Sequence, residues 1–227
     1  MEVLGRYGVP GEREQAFDAL LSALESSDDA PSTVRDRSAA LGRHVADSLS
    51  GLAVERLRFA RTVADIGAGA GFPGLPLALA LPQARVDLLE SRARSADVIE
   101  RFARAAGASN AHAVTARAEE WAAAAGAGAY DVVTARAVAA LAVVAEYAAP
   151  LLRVGGALVA WKGARDAEEE AAGDAASARL GLELRTVHVV VPFAGARRRH
   201  LHVFEKVAPT PAGFPRRAGM ARKRPLG

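Results

Sequence analysis

The sequence predicts an α/β protein built on a seven-stranded, mostly parallel sheet with an antiparallel last strand, preceded by a helical extension. Three observations carry that expectation. The apolar run Thr62-Val63-Ala64-Asp65-Ile66 leads straight into a loop with four glycines in the eight positions 67–74. Strand-like runs then alternate with alanine-rich helical stretches, the pattern of βαβ units. The last two strand-like runs are separated only by Pro192-Phe193-Ala194-Gly195-Ala196. That link is too short for a parallel crossover, so these two runs form a hairpin.

Each element follows from its local pattern. Residues 10–60 read as helices without a strand period. Phe17, Leu20, Leu21 and Leu24 recur at helical spacing until Ser26-Ser27-Asp28-Asp29-Ala30-Pro31 breaks the run. A second helix places Leu41, Val45, Leu49 and Leu52 on one face. Strands are expected near 62–66, 85–90, 110–115, 130–135, 156–162, 184–192 and 199–207, the first five parallel.

Composition excludes several chemistries. The 227 residues contain no cysteine, which removes disulfides, zinc–thiolate sites and a cysteine nucleophile. No apolar run approaches the roughly 20 residues of a membrane helix. The start, Met1-Glu2-Val3-Leu4-Gly5-Arg6, lacks a signal peptide's basic and then apolar regions, so a cytoplasmic protein is expected. Three histidines, His188, His200 and His202, alternate along the hairpin without ligand spacing to carboxylates, and no metal is predicted. The net charge of +3 is mild. The arginines cluster, however: Arg197, Arg198 and Arg199 form a run, and Arg216, Arg217, Arg222, Lys223 and Arg224 crowd an acid-free tail. Such a tail is an electrostatic footprint for phosphate, or a solvated end.

The glycine loop points to an adenosine-bearing cofactor at the carboxyl end of the sheet. Two templates fit. Gly69-x-Gly71-x-x-Gly74 matches a dinucleotide fingerprint, and Asp65-x-Gly67-x-Gly69-x-Gly71 matches the loop of S-adenosylmethionine (SAM) methyltransferases. Glu90, ending the next strand-like run, would hold ribose hydroxyls in either. Asp65 favours SAM, because a carboxylate there suits an α-ammonium and repels a pyrophosphate. Pro73 and Pro76 each remove an N–H that would bind phosphate. The reversed last strand is a further discriminator, since a plain dinucleotide-binding sheet does not need it.

With these residues assembled, the chain resembles the bacterial 16S rRNA guanine-N7 methyltransferases, the glucose-inhibited division protein B family. The resemblance spans roughly residues 10–226. It is carried by Arg43-His44-Val45-Ala46-Asp47-Ser48-Leu49, the loop ending Phe72-Pro73-Gly74, Arg117-Ala118-Glu119-Glu120, Thr134-Ala135-Arg136-Ala137, Trp161-Lys162-Gly163 and the basic tail ending Arg224-Pro225-Leu226. It implies a Rossmann-like class I SAM-dependent methyltransferase domain over 61–208, after a helical extension over 1–60 and before a basic tail over 209–227. It implies SAM contacts at Gly67 and Phe72, adenine flanked by Ala118 and Glu119, and Arg136 at the cofactor–substrate junction. The partner implied is 16S rRNA in the small ribosomal subunit, the target a guanine in the 530 loop, and the working form a monomer. Arg222 stands where the family commonly has proline.

The residues limit the acceptor atom. Pyrimidine C5 usually needs a cysteine nucleophile, which is absent. Exocyclic amines in nucleic acids typically use an Asn/Asp-Pro-Pro-aromatic loop, and Thr134-Ala135-Arg136-Ala137 stands in that place. Guanine N7 carries a lone pair and no proton, so positioning suffices without a general base. The candidate site is therefore Arg136 as the catalytic residue. Asp65, Gly67, Gly69, Gly71, Phe72, Glu90, Ala118, Glu119 and Arg136 serve the cofactor. Lys162, Arg197, Arg198, Arg199, Arg222, Lys223 and Arg224 serve RNA. His44 and Asp47 share a helix face but receive no chemistry, Trp121 is read as core, and Glu168-Glu169-Glu170 as a solvated face. Alternatives at this stage are a small-molecule SAM-dependent methyltransferase, an NAD-dependent oxidoreductase and a ribosome-assembly factor without turnover.

Overall fold

The structure, a computed structural model, describes residues 2–196 and 198–226. Seven strands form one sheet: β1 Thr62–Ile66, β2 Arg85–Glu90, β3 Ala111–Thr115, β4 Tyr130–Arg136, β5 Leu152–Lys162, β6 Leu182–Val190 and β7 Arg199–Lys206. Their order is β3-β2-β1-β4-β5-β7-β6. The first five pair in parallel, and β7 lies antiparallel to both β5 and β6. This is the Rossmann-like class I methyltransferase sheet, with the antiparallel last strand required by the short link at 192–196. The chain reverses direction across the sheet between β1 and β4. The crevice that such a reversal opens lies at the carboxyl ends of the strands.

Alternation along each strand sorts the core into two layers. Val63, Val86, Val132 and Val159 face one way, packed with Phe17, Leu20, Leu21 and Leu24 of the helix Glu14–Glu25. Ala64, Val133 and Leu158 face the other way, against the fully buried helix Leu141–Ala148. The N-terminal extension thus covers one face of the sheet, and burial of its leucines secures the position of everything it carries.

Three local expectations change. β5 starts at Leu152, not 156, because it crosses a bulge in which the pairing jumps between Tyr130 and Val132. Gly155, at φ +85°, makes that bend. At Gly156 a Cβ would stand 2.8 Å from the Asp131 carbonyl, so only glycine fits. The second helix is not regular: after Arg37–Ala40 it widens to a π-helical turn over Leu41–Ala46 and tightens to a 3₁₀ turn over Ser50–Ala53. The wide turn carries Arg43 and His44, and such turns concentrate at functional sites. The basic tail is not a free end. Ala221 and Leu226 are buried, and Arg216 pairs with Glu146, which is 1% exposed.

Candidate functional site

The glycine loop after β1 is shaped from inside the protein. Asp65 is fully buried. Its Oδ2 accepts the Gly74 N–H at 2.9 Å, fixing the start of the helix Gly74–Ala80, and its Oδ1 accepts the Thr134 hydroxyl at 2.8 Å. Burial pushes its carboxyl up to about 7 against those two hydrogen bonds. Asp65 therefore ties the loop to the sheet and stays out of the cavity lining, in contrast to the direct contact expected from the sequence.

The loop borders a cavity of about 640 Å³ at the crevice, lined by Gly67, Gly69, Phe72, Glu90, Arg136 and Arg222 among others. Gly67 and Gly69 hold φ of +64° and +57°. A Cβ on Gly69 would meet nothing closer than the Gly67 carbonyl at 3.9 Å, so it would enter the cavity. Gly71, at φ +94°, plays another part: a Cβ there would overlap Leu75, and the residue is not in the lining. Glu90 is held at the rim by the N–H groups of Gly69 (3.1 Å) and Arg92 (2.9 Å). Each oxygen retains accepting capacity for a vicinal diol.

Ala118 and Glu119, at the start of the helix Ala118–Ala122, lie outside this lining. Glu119 accepts the Gly219 N–H at 2.8 Å, so its carboxylate holds the tail. Arg222 moves in the opposite direction. Its Nη2 donates to the Val138 carbonyl at 2.8 Å, and although the residue is exposed it lines the cofactor-side cavity.

A second cavity, about 440 Å³, adjoins the first and shares His44, Arg136 and Ala137 with it. Arg43, Asp47, Trp161, Lys162 and Arg199 complete much of its wall. Arg136 joins the two. Its Nη1 donates to Asp47 Oδ2 at 2.9 Å and to the Arg43 carbonyl at 3.2 Å, and its side chain is only 14% exposed. It also lies 5.9 Å from the Phe72 ring centre. His44 stacks on Phe72, centroids 4.5 Å apart, with one ring nitrogen 2.8 Å from the Ser32 hydroxyl and the other 3.4 Å from Arg136. Burial, with the Arg136 charge, lowers His44 to about 4, so it is neutral near pH 7. The Asp47 carbonyl in turn accepts the Trp161 indole N–H at 2.9 Å, tying the irregular helix to β5.

Lys162, partly exposed, pairs with Glu169 at 2.5 Å. Glu170 pairs with Arg165 and His202, so two of the three glutamates at 168–170 hold the hairpin end together. Arg198, Arg199, Lys223 and Arg224 are exposed, and Arg197 lies outside the described residues. Trp121 donates to the Tyr130 hydroxyl at 2.7 Å, which itself donates to Asp87, away from both cavities. No group of three or more metal-ligating side chains occurs among the described residues. No helix among them is long and apolar enough to cross a membrane. Sequence reasoning leaves His44 and Asp47 open between the cofactor mouth, RNA and a local ion pair, and the structure places both in the cavity walls. Their signal was the three-residue spacing beside Arg43, but their partner Arg136 is about ninety positions away.

A family model described as rRNA small subunit methyltransferase G matches residues 31–202. The ribosomal RNA small subunit methyltransferase G of Rubrobacter xylanophilus is 44% identical, over 98% of this chain and 88% of its own. That of Chloroflexus aggregans is 41% identical, over 100% of this chain and 96% of its own. Among solved structures, fibrillarin of Aeropyrum pernix with bound S-adenosyl-L-methionine superposes with a TM-score of 0.55 at 18% identity, covering 70% of this chain and 72% of that one. The cofactor-bound Rv0187 from MTB gives 0.57 at 24% identity, covering 85% and 90%. These two resemblances are of fold.

Proposed function

The chain belongs to the rRNA small subunit methyltransferase G family, and from that premise we propose that it methylates N7 of a guanine in the 530 loop of 16S rRNA. It is a SAM-dependent methyltransferase. When bound, SAM supplies an electrophilic methyl group on a sulfonium centre. The residues present fit that ligand. Gly67 and Gly69 leave a Cβ-free floor, Glu90 offers a diol acceptor, and Phe72 with His44 closes the side toward the second cavity.

The observation that carries the guanine-N7 reading is the shared wall. Among the described residues of that wall no group stands ready as a general base. His44 has both ring nitrogens engaged, Lys162 is paired with Glu169, and Asp47, though one of its oxygens is unbonded, is a carboxylate held in an ion pair with Arg136. Guanine N7 needs no proton removed, so the chain has only to hold the base in line and exclude water. Arg136 can present its second nitrogen toward guanine O6 or a phosphate while the first stays on Asp47. Arg43 and Arg199 give the acceptor cavity a cationic mouth suited to an RNA backbone. The extension (1–60), the methyltransferase domain (61–208) and the tail (209–227) all contribute to the cofactor cavity through His44, Glu90 and Arg222. One chain carries all of these lining residues.

The test is a map of N7-methylguanine in 16S rRNA, by reduction and strand scission, with and without this protein. One protein-dependent scission in the 530 loop is expected. Methyl transfer to any other atom, or SAM binding without product, overturns the reading.

A further inference from the structure

We propose that Asp47 selects guanine: its free carboxylate oxygen accepts the exocyclic N2 amino group of the target base in the second cavity. This rests on the guanine-N7 reading above. Asp47 is 5% exposed and lines that cavity. Its two oxygens are used differently. Oδ2 takes the Arg136 hydrogen bond, whereas Oδ1 is buried and has no hydrogen-bond partner among the described residues. Arg199 Nε stands 3.9 Å from Oδ1, close enough for an ion pair but beyond hydrogen-bond reach. A buried carboxylate oxygen without a hydrogen bond, on a residue that lines a cavity, is only partly compensated by the charge of Arg199. A donor arriving with the substrate compensates it.

The chemistry of the base names the donor. With N7 turned to the cofactor cavity, guanine offers O6 as an acceptor on the same edge and N1–H and N2–H₂ as donors beyond it. Arg136 matches the acceptor and Asp47 Oδ1 the donors, and the two residues are already bonded to each other. Adenine, with an amine at C6 and no amine at C2, would set donor against Arg136 and leave Oδ1 unpaired. The pair thus reads the 6-oxo and 2-amino groups, which adenine lacks.

Inosine isolates the contact, since it keeps N7, O6 and N1–H and lacks only the N2 amine. Small subunits reconstituted with guanine, inosine or 7-deazaguanine at the mapped position provide the substrates. The wild-type protein should methylate the guanine subunit about ten- to a hundredfold faster than the inosine subunit. In Asp47→Asn, Arg136 holds the amide oxygen, so the NH₂ group replaces Oδ1 and faces the base. That variant should lose rate on both substrates, because the neutral amide no longer pairs with the Arg136 charge, but by a larger factor on guanine, so the guanine-to-inosine ratio should narrow toward one. Equal wild-type rates on guanine and inosine, or an Asp47→Asn loss of the same size on both, would overturn the inference and leave Asp47 only a support for Arg136. Failure of the N7 reading shows separately, as methylation of the 7-deazaguanine subunit, and the guanine-to-inosine ratio reads Asp47 in either case.

Discussion

Arg136 shows how one side chain serves two partners. Its ion pair with Asp47 is largely buried, so Arg136→Ala would leave a carboxylate uncompensated and cost several kcal/mol of stability, about 3–5 by analogy with other buried pairs. Arg136→Lys is the cleaner probe, because it keeps the charge and loses the planar fork. Turnover should fall about ten- to a hundredfold while SAM affinity falls much less, measured by single-turnover kinetics and calorimetry. Equal losses in both would make Arg136 a cofactor residue alone. His44 and Asp65 are coupled in another way. As pH falls from about 6.5 to 4, an unfolded chain gains the His44 proton that the fold excludes, and stability is lost. As pH falls from about 7 to 4, the fold already holds the Asp65 proton that the unfolded chain lacks, and stability is gained. The two nearly cancel in the wild type. His44→Gln removes one side, so its urea stability should rise from pH 7 to pH 5 by about 1–2 kcal/mol relative to the wild-type slope. Parallel slopes for the two proteins would show that these groups do not titrate this way.

Among elements, the glycine loop separates backbone need from ligand need. Gly69→Ala puts a methyl into the cavity at a φ of +57°, which a non-glycine residue can adopt for about 1 kcal/mol. It should lose SAM affinity far more than stability. Gly71→Ala drives a methyl into Leu75 and should lose stability first, by about 1–3 kcal/mol. Thermal melts with and without SAM order the two, and a reversed order would mean the loop turns its other side to the ligand. The tail needs a similar division. Deleting residues after Ala212 removes Arg216 from buried Glu146 and Arg222 from the cavity, so it should harm folding and SAM affinity as well as RNA binding. Point changes resolve the roles. Arg222→Ala should weaken SAM binding, whereas Lys223→Ala with Arg224→Ala should flatten the salt dependence of RNA binding and spare SAM. Unchanged SAM affinity in Arg222→Ala would return that residue to the RNA side.

Across the whole molecule, the sheet edge carries a buried amine that the site does not use. Lys206, at the end of β7, is 1% exposed and donates to the Leu180 carbonyl at 2.6 Å, capping the helix Ala167–Arg179. Burial lowers it to about 8. Between about 8 and 10.5 the unfolded chain binds a proton that the fold has released, so this group makes stability rise with pH across that window. Lys206→Met should abolish the rise and stay within about 1 kcal/mol of wild type at pH 7. Chemical denaturation at pH 7.5 and 9.5 checks it, and an undiminished rise in Lys206→Met would place its origin elsewhere.

What the sequence determined by itself was local or periodic. The strand–glycine–helix turn at 62–80, the alternation of β2, β4 and β5, and the five-residue link at 192–196 are short-range patterns whose physics acts within a few residues. They were enough for the sheet, its reversed last strand and the cofactor class. The same reasoning named Arg136, because a charge at a strand end among small residues is costly without a use. Only the tertiary structure decided what lies beside it. Asp47 and His44 come from an irregular helix that the extension's leucines press against the sheet, and Arg222 from a tail latched by Glu146 and Glu119. Likewise Asp65 looked like a ligand contact from its position and proved to be the loop's internal anchor, because its strand register turns it toward Thr134 and Gly74. Sequence spacing fixes which residues share an element. Which elements meet is set by packing of the whole core, and a site built where three of them converge appears only then.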